Sequence, residues 1–204
     1  MRRDEIGELQ FIAPVESVPS ILTLGILSNE GSRNVVPASV ANPSVQLRRS
    51  QRFIPNGLRL HQYANLYFNA RNAMLSDILN TDDLTRRRAS SELCILRIDP
   101  IVLDVPGVVI TEINAAADAL PRWYTVGEGL PRLDGAEIYD TWWTDSIRHK
   151  QRMMAEVLVP HQVPTDMIVG AYVNAAATAA NLSVVAPTLE TEVNSYMFFE
   201  GPKP

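Results

Sequence analysis

The amino-acid sequence predicts one α+β domain that spans residues 1–204. Three observations favour this class. The chain is long enough for one domain with a substantial core. Hydrophobic residues make up 46% and charged residues 20% of the chain, as in ordinary globular proteins and unlike disordered chains. Short strand-like apolar runs alternate with short helical stripes and two long polar segments, a pattern typical of a mixed sheet with helices around it.

The first elements follow from proline and glycine positions. The segment GELQFIA (7–13) predicts a strand that Pro14 ends. The following segment, 15–28, predicts a helix with Gly25 as its C-terminal stop. Residues 29–46 are rich in Asn, Ser, Pro and Gly and predict a loop. A loop of that length is usually functional or disordered.

The remaining elements are shorter, and their type follows from hydrophobic periodicity and turn residues. In chain order they are a helical turn at 45–53, a turn at Pro55-Asn56-Gly57, a strand ending near Tyr67 and Phe68, a helix over Met74, Leu75 and Ile78, strands at 92–98 and 105–111, a short Ala-rich helix capped by Asn114, irregular residues 119–140, a polar helix from Tyr139 to Arg152, strands at 155–160 and 166–173, and a helix at 176–181.

Several classes of protein are disfavoured. The longest apolar run, 102–110, is broken by an aspartate, a proline and a glycine, so no membrane span is predicted. Residues 1–10 lack the apolar core of a secretory signal, and we expect a cytoplasmic protein. The single cysteine, Cys94, lies in the apolar run LCIL and predicts a buried thiol in a reducing compartment.

The basic residues are clustered although the net charge is −5. Of the 18 Lys and Arg residues, eight lie within 48–88 and three within 148–152. If folding brings these two windows together, a mildly acidic protein still presents a basic face that binds phosphates. The alternative is that these side chains are scattered over the surface and solvated.

Common catalytic and metal-binding motifs are absent from the sequence. The three histidines, His61, His149 and His161, do not have the spacing of zinc ligands, so no metal site is predicted. There is no P-loop, no GxGxxG after a strand and no GxSxG elbow. With these motifs excluded, the type of catalysis that remains uses a single carboxylate and cationic side chains acting on a bound ligand.

Four stretches combine residues that suit such chemistry: VQLRR (45–49), LHQYANLYFNARNAML (60–75), YDTWWTDSIRHKQR (139–152) and QRMMAEVLVP (151–160). The paired arginines are either a solvated turn or an anchor for an anion. The aromatic residues are either core or a platform for stacking a base. Glu156 is unusual because it opens an apolar strand, and strands are depleted in glutamate. It either faces water at an edge or belongs to a site.

These stretches, in this order, resemble the DarT family of DNA ADP-ribosyltransferases, the toxin half of DarT–DarG systems. FIAPVESVPSILTLGILS (11–28) matches the family's first strand and "ILxxGxL" helix, and VQLRR matches its "QxRR" element. LHQYANLYFNARNAML matches "LHxYVPFYFxPRxPML", and KQRMMAEVLVPHQVPTDMI (150–168) matches "KxxAEFLVxxxxPxxLI". The resemblance covers residues 8–175. It implies the ADP-ribosyltransferase fold, a split mixed β core that binds NAD in a cleft, with peripheral helices.

The resemblance also implies roles for individual residues. Glu156 is expected to be the catalytic glutamate that stabilises an oxocarbenium-like ribose as nicotinamide leaves NAD. Arg49 is expected to be the catalytic arginine, acting by positioning and electrostatics. The residues expected to bind NAD are Phe11, Ile12, Ala13, Ser20, Ser28, Arg49, Tyr67 and Arg71.

A substrate-recognition loop is expected from about Arg122 to Glu156. The residues expected to bind single-stranded DNA are Arg48, Arg52, Trp142, Trp143, Arg148, Lys150 and Arg152. We expect a monomer that modifies thymidine or guanosine and whose partner is a DarG-like macrodomain antitoxin. Two departures from the family pattern favour a divergent branch: the first strand has Phe11 where relatives have His, and the segment PRxPM is ARNAM here.

Two other hypotheses remain open at this level. The same fold can act on RNA, on a 2′-phosphate of RNA or on protein. Alternatively, the chain is a non-catalytic nucleic-acid-binding module, an idea that the missing first-strand histidine supports.

Overall fold

The computed structural model describes residues 1–33, 35, 42–54, 58–118, 121–143 and 146–202. Within these residues the strands are β1 (Leu9–Pro14), β2 (Ile26–Leu27), β3 (Tyr63–Tyr67), β4 (Leu93–Ile98), β5 (Val109–Thr111), β6 (Glu156–Pro160), β7 (Gln162–Val163), β8 (Ile168–Val173) and β9 (Thr191–Val193).

The α-helices of the described residues are mostly short. They are α1 (Val18–Leu24), α2 (Asn29–Ser32), α3 (Pro43–Ser50), α4 (Ala73–Asn80), α5 (Val126–Gly129), α6 (Gly135–Ile138), α7 (Ile147–Arg152) and α8 (Ala176–Val185). Short 3₁₀ helices lie at Arg3–Glu5, Val15–Ser17, Leu60–Gln62, Ser90–Glu92, Pro100–Asp104, Leu130–Arg132, Thr165–Met167 and Ser195–Phe198. None of the helices in the described ranges has the length and apolar character needed to cross a bilayer.

The main sheet has seven strands in the order β5-β6-β3-β1-β4-β8-β9, antiparallel except for the β8–β9 pair. Its centre is weakly joined. β1 pairs with β4 along its whole length, and β3 pairs with β6 in the same way. Between β1 and β3, in contrast, the only register pair is Gln10 with Tyr67. The two half-sheets therefore separate beyond this pair. This is the split mixed β core that the family resemblance implied.

The β6 strand has two different faces. Val157 and Val159 pack into the main hydrophobic core. Leu158 packs into a separate small cluster with Leu60 and Tyr63 on the opposite face. Because side chains alternate along a strand, Glu156 shares this second face with Leu158. All of these residues except Tyr63, which is 3% exposed, have no exposed surface.

Gly25 ends α1 as predicted, and the structure gives the reason. Its φ of +80° is unfavourable for residues with a side chain. A Cβ atom at this position would lie 2.3 Å from the backbone oxygen of Val163. The close approach lets β2, which follows α1, pair with β7.

Several element predictions were wrong in extent or type. Residues 29–46, predicted as a loop, contain α2 and the start of α3. The stretch after Asn114 is a turn, since the Asn114 carboxamide accepts from the Ala116 N–H at 2.8 Å and residues 114–118 contain no helix. The polar helix predicted from Tyr139 starts only at Ile147, because Ser146 caps it there. The turn predicted at residues 55–57 lies outside the described residues.

Candidate active site

A buried ion pair joins the two residues expected to be catalytic. Glu156 is the first residue of β6 and Arg49 lies in the last turn of α3. Arg49 Nη1 donates to Glu156 Oε2 at 3.0 Å and lies 3.5 Å from Oε1. Glu156 is 0% exposed and Arg49 is 5% exposed. These two residues are 107 positions apart in the sequence, so the tertiary fold creates the pair.

The same carboxylate receives a second donor from the backbone. The Ala115 N–H donates to Glu156 Oε1 at 3.3 Å. Beside it, Tyr67 stands directly opposite Glu156 in the β3–β6 register. The Tyr67 hydroxyl donates to Met74 Sδ at 2.8 Å. Burial, and secondarily the Glu156 carboxylate, raise the pKa of this hydroxyl, which therefore stays protonated and neutral.

A cleft of about 730 Å³ opens above this pair. It lies between α1, α3 and α7 and the separating strands β1 and β3. Asn65 and Tyr67, alternate residues of β3, form part of its floor. Six of the eight residues expected to bind NAD line the cleft: Phe11, Ile12, Ala13, Ser20, Arg49 and Tyr67.

Ser28 and Arg71 are not among the described residues that line the cleft. Ser28 caps α2, where its hydroxyl accepts from the Gly31 N–H at 3.2 Å. The Arg71 guanidinium lies over the rings of Tyr196 and Phe199, at 4.3 and 4.5 Å, and its Nε donates to the Tyr196 carbonyl. The structure thus places Ser28 and Arg71 outside the cleft lining, and their contact with NAD stays a prediction.

Arg48 and Arg52, expected to bind DNA, both donate to the carbonyls of a backbone turn. Arg48 Nε donates to the Ala116 carbonyl at 3.0 Å, while part of its side chain lines the cleft. Arg52 donates to the carbonyls of Ala115, at 2.5 Å, and of Ala117. Arg52 does not appear in the described cleft wall. Its guanidinium has internal partners, and its contact with DNA stays a prediction.

The other residues expected to bind DNA lie in and before α7. Trp142 and Trp143 stack with ring centroids 4.1 Å apart, and Trp142 is 50% exposed. Lys150 Nζ lies 5.6 Å from the Trp143 ring centroid and lines the cleft. Arg148 is exposed. Arg152 forms an ion pair with Glu137 at 2.5 Å, and its contact with DNA stays a prediction.

The sequence from residue 11 to 199 matches the profile of one family, described as ssDNA thymidine ADP-ribosyltransferase, DarT. The chain belongs to the DarT family. A DNA ADP-ribosyl transferase–DNA ADP-ribosyl glycohydrolase fusion protein of Thermosipho africanus (strain H17ap60334) is 31% identical over 178 residues. The match covers 86% of this chain and 44% of the fusion protein, so the chain spans less than half of that relative's length.

Solved structures in the DarT family have the same fold. Thermosipho africanus DarTG in complex with ADP-ribose matches with a TM-score of 0.84 and 28% identity, over 95% of this chain and 51% of that one. Thermus sp. 2.9 DarT in complex with ADP-ribosylated ssDNA matches with a TM-score of 0.85 and 20% identity, over 95% and 96%. The family and the α+β fold class predicted from the sequence are confirmed.

In this DarT-family chain, several polar residues of the cleft had no local sequence signal. They share a position on the cleft wall and are Arg33, Gln46, Asn65, Asp77, Asn114 and Gln151. Gln46, Asn65 and Gln151 lie within stretches that the sequence analysis singled out, but no linear pattern separates them from their neighbours, so only the tertiary fold identifies them. In the described residues no group of three or more His, Cys, Asp or Glu side chains is arranged to hold a metal ion.

His61 lies under this cleft wall. Its Nδ1 is 3.4 Å from Arg33 Nη2, and the side chain is buried. Burial lowers the pKa of His61, and the positive guanidiniums of Arg49 and Arg33 lower it further. The ring is therefore neutral at pH 7, and Nδ1 can accept a hydrogen bond from Arg33.

Proposed function

We propose that this chain transfers ADP-ribose from NAD to a base of single-stranded DNA and releases nicotinamide. The observation that carries the proposal is the buried Arg49–Glu156 ion pair beside the cleft, at the point where the sheet splits. The match to a family described as ssDNA thymidine ADP-ribosyltransferase supports it. So does the ADP-ribosylated ssDNA bound by the Thermus protein of the same fold.

The reaction needs a carboxylate near the ribose and a bound NAD, whose positively charged nicotinamide ring is the leaving group. The bond between the nicotinamide nitrogen and the ribose carbon breaks, and its electron pair neutralises the pyridinium ring. A nitrogen of the acceptor base supplies the electron pair for the new bond, and its proton passes to solvent. The ribose resembles an oxocarbenium ion in the transition state. The Glu156 carboxylate stabilises that developing charge, and such a contribution is worth about 10²–10³ in rate.

The cleft suits a dinucleotide in size and charge. Ligand sites usually measure about 300–1,000 Å³, and this cleft measures about 730 Å³. Arg33, Arg48 and Lys150 line it and provide positive charge for a pyrophosphate. Phe11 and Ile12 supply apolar surface for a ring. Arg49 lines the cleft, whereas Glu156 is fully buried and does not, so contact between this carboxylate and the ribose requires Arg49 to move aside.

We assign the binding of the single-stranded DNA that accepts ADP-ribose to the surface in front of α7. Trp142 offers an exposed ring on which an unpaired base can stack. Lys150 Nζ lies 5.6 Å from the Trp143 ring centroid and supplies a cation for a backbone phosphate beside the aromatic platform. Arg148 adds a second exposed cation. A single strand is favoured because its bases need no unpairing before they reach the cleft.

Thymidine is the first candidate base because the family description gives it. Guanosine is the second, since the segment that is PRxPM in relatives is Ala70-Arg71-Asn72-Ala73-Met74 here. We also propose that the chain is a monomeric cytoplasmic toxin and that a DarG-like macrodomain removes its product. The fused DNA ADP-ribosyl glycohydrolase named in the Thermosipho relative supports that partner.

The proposal is tested by mass spectrometry of four single-stranded oligonucleotides, each containing one base type at a central position. The protein and NAD are expected to add one ADP-ribose to the thymidine or the guanosine oligonucleotide and to release an equal amount of nicotinamide. Duplexes of the same sequences and matching RNA strands serve as controls. Labelling of RNA in preference to all four DNA strands would refute the DNA assignment. Tight DNA binding without any labelling would show that the chain is a non-catalytic nucleic-acid-binding module.

A further inference from the structure

The backbone turn from Asn114 to Ala117 connects α3 with the candidate catalytic carboxylate. The Ala117 N–H donates to the Asn114 carbonyl at 2.9 Å, and the Asn114 side chain accepts from the Ala116 N–H at 2.8 Å. The two internal bonds close the turn. Its remaining N–H, that of Ala115, points at Glu156 Oε1. Ala115 and Ala116 are buried, so water cannot easily replace these partners.

The three successive carbonyls of the turn all accept hydrogen bonds from arginines of the α3 region. Arg52 donates to the carbonyls of Ala115 and Ala117, and Arg48 donates to the carbonyl between them. The planar fork of a guanidinium suits this arrangement, because one side chain can donate to two carbonyls at once. Burial lowers the pKa of Arg52, as does the adjacent Arg48. Arginine nevertheless stays charged, which strengthens these bonds.

We propose that Arg52, assisted by Arg48, is a positioning residue that holds the Ala115 N–H against Glu156. The inference rests on the proposed function, because it assigns Arg52 a part in the same transferase site. It replaces the expected DNA contact of Arg52 with a role in orienting the carboxylate. Arg49 fixes one oxygen of Glu156 and the turn fixes the other, so two donors set the plane of the carboxylate.

This arrangement makes the geometry of the site depend on one short segment. Arg48, Arg49 and Arg52 belong to α3 and the residues directly after it, so a shift of α3 moves both donors of Glu156 together. Displacing a reacting group by about 1 Å can cost on the order of 10²-fold in rate. Arg52 is not among the described residues that line the cleft. Its loss should therefore affect turnover more than the binding of NAD or DNA.

The test compares Arg52→Ala with Arg3→Ala. Arg3 also donates to a backbone carbonyl, that of Pro100 at 2.6 Å, but it is remote from the cleft. Arg52→Ala is expected to lower kcat by about 10- to 100-fold, with the KM for NAD and the affinity for DNA nearly unchanged. Arg3→Ala is expected to keep the wild-type kcat. Added guanidinium ion should restore part of the Arg52→Ala turnover, whereas sodium at equal ionic strength should not.

Hydrogen exchange of the backbone provides a readout that does not depend on activity. The peptide containing residues 112–118 is expected to exchange faster in Arg52→Ala than in the wild type or in Arg3→Ala. If the wild type labels no oligonucleotide, the proposed function fails, but this exchange difference still tests the contact. The inference is overturned if exchange is unchanged, or if Arg52→Ala keeps its kcat and instead loses DNA affinity with a smaller salt dependence.

Discussion

Replacing Glu156 by glutamine is the sharpest perturbation of the candidate active site. The amide has nearly the same shape and keeps one acceptor oxygen. It can therefore accept either from Arg49, now 3.0 Å from the carboxylate, or from the Ala115 N–H at 3.3 Å. What disappears is the negative charge. Arg49, only 5% exposed, is then left with a neutral partner.

The expected effects on rate and stability differ in size. Loss of electrostatic stabilisation of the transition state should lower turnover by about 10²–10³, or about 3–4 kcal/mol. Removing one partner of a buried ion pair costs about 3–5 kcal/mol in stability when nothing replaces it. Because glutamine retains one hydrogen bond, we expect the free energy of unfolding to fall by about 2 kcal/mol.

Glu8→Gln is the matched control. Glu8 pairs with Arg97 at 2.7 Å, in a partly buried setting that does not line the cleft. The assay is the initial rate of nicotinamide release with NAD and the preferred oligonucleotide in excess, combined with urea unfolding of each variant. Both variants should lose some stability, but only Glu156→Gln should lose turnover. Equal rates for the two variants would refute the catalytic role of Glu156.

Three further outcomes are expected. His61 has a lowered pKa, so as the pH falls below about 6.5 the unfolded chain takes up a proton before the folded protein does. The free energy of unfolding should therefore decrease toward acid, and His61→Gln should reduce that decrease; identical pH profiles in urea titrations would contradict this. Burial raises the pKa of the Cys94 thiol to about 12, so a thiol reagent at pH 8 should label it only after unfolding; rapid labelling of the native protein would show that the thiol is accessible. Trp142→Ala should weaken binding of single-stranded DNA by about 1–3 kcal/mol in fluorescence anisotropy while leaving the salt dependence unchanged; an unaltered affinity would exclude base stacking on this ring.

The sequence predicted those elements whose local pattern agrees with the final fold. The apolar run after Glu156 became β6, and the run around Cys94 became β4. Gly25 stopped α1 as expected, because the close approach of Val163 permits no side chain there. Arg49 and Glu156 meet in the structure although nothing local in the sequence joins them. Only the order of the motifs along the chain, through the family resemblance, predicted that meeting.

Other features depend on contacts that a linear pattern does not contain. Asn114 resembles a helix cap in the sequence, but its carboxamide closes a turn whose carbonyls bind arginines. A basic residue near a site suggests DNA binding from composition alone. Arg52 shows that the partner can be a backbone carbonyl, and Arg71 that it can be an aromatic ring. Such choices are decided by which segments pack together.

The position of Glu156 at the head of an apolar run has a consequence for how this enzyme family can diverge. Val157 and Val159 pack into the main core. Because side chains alternate along a strand, the even-numbered residues of β6 face the opposite side. One residue inserted between Glu156 and Val157 would turn the carboxylate into the core. Single substitutions in the neighbouring strand β3 do not change which side of the sheet Glu156 faces. The residues around Glu156 can therefore change by substitution, whereas an insertion at this point would turn the candidate catalytic carboxylate away from Arg49.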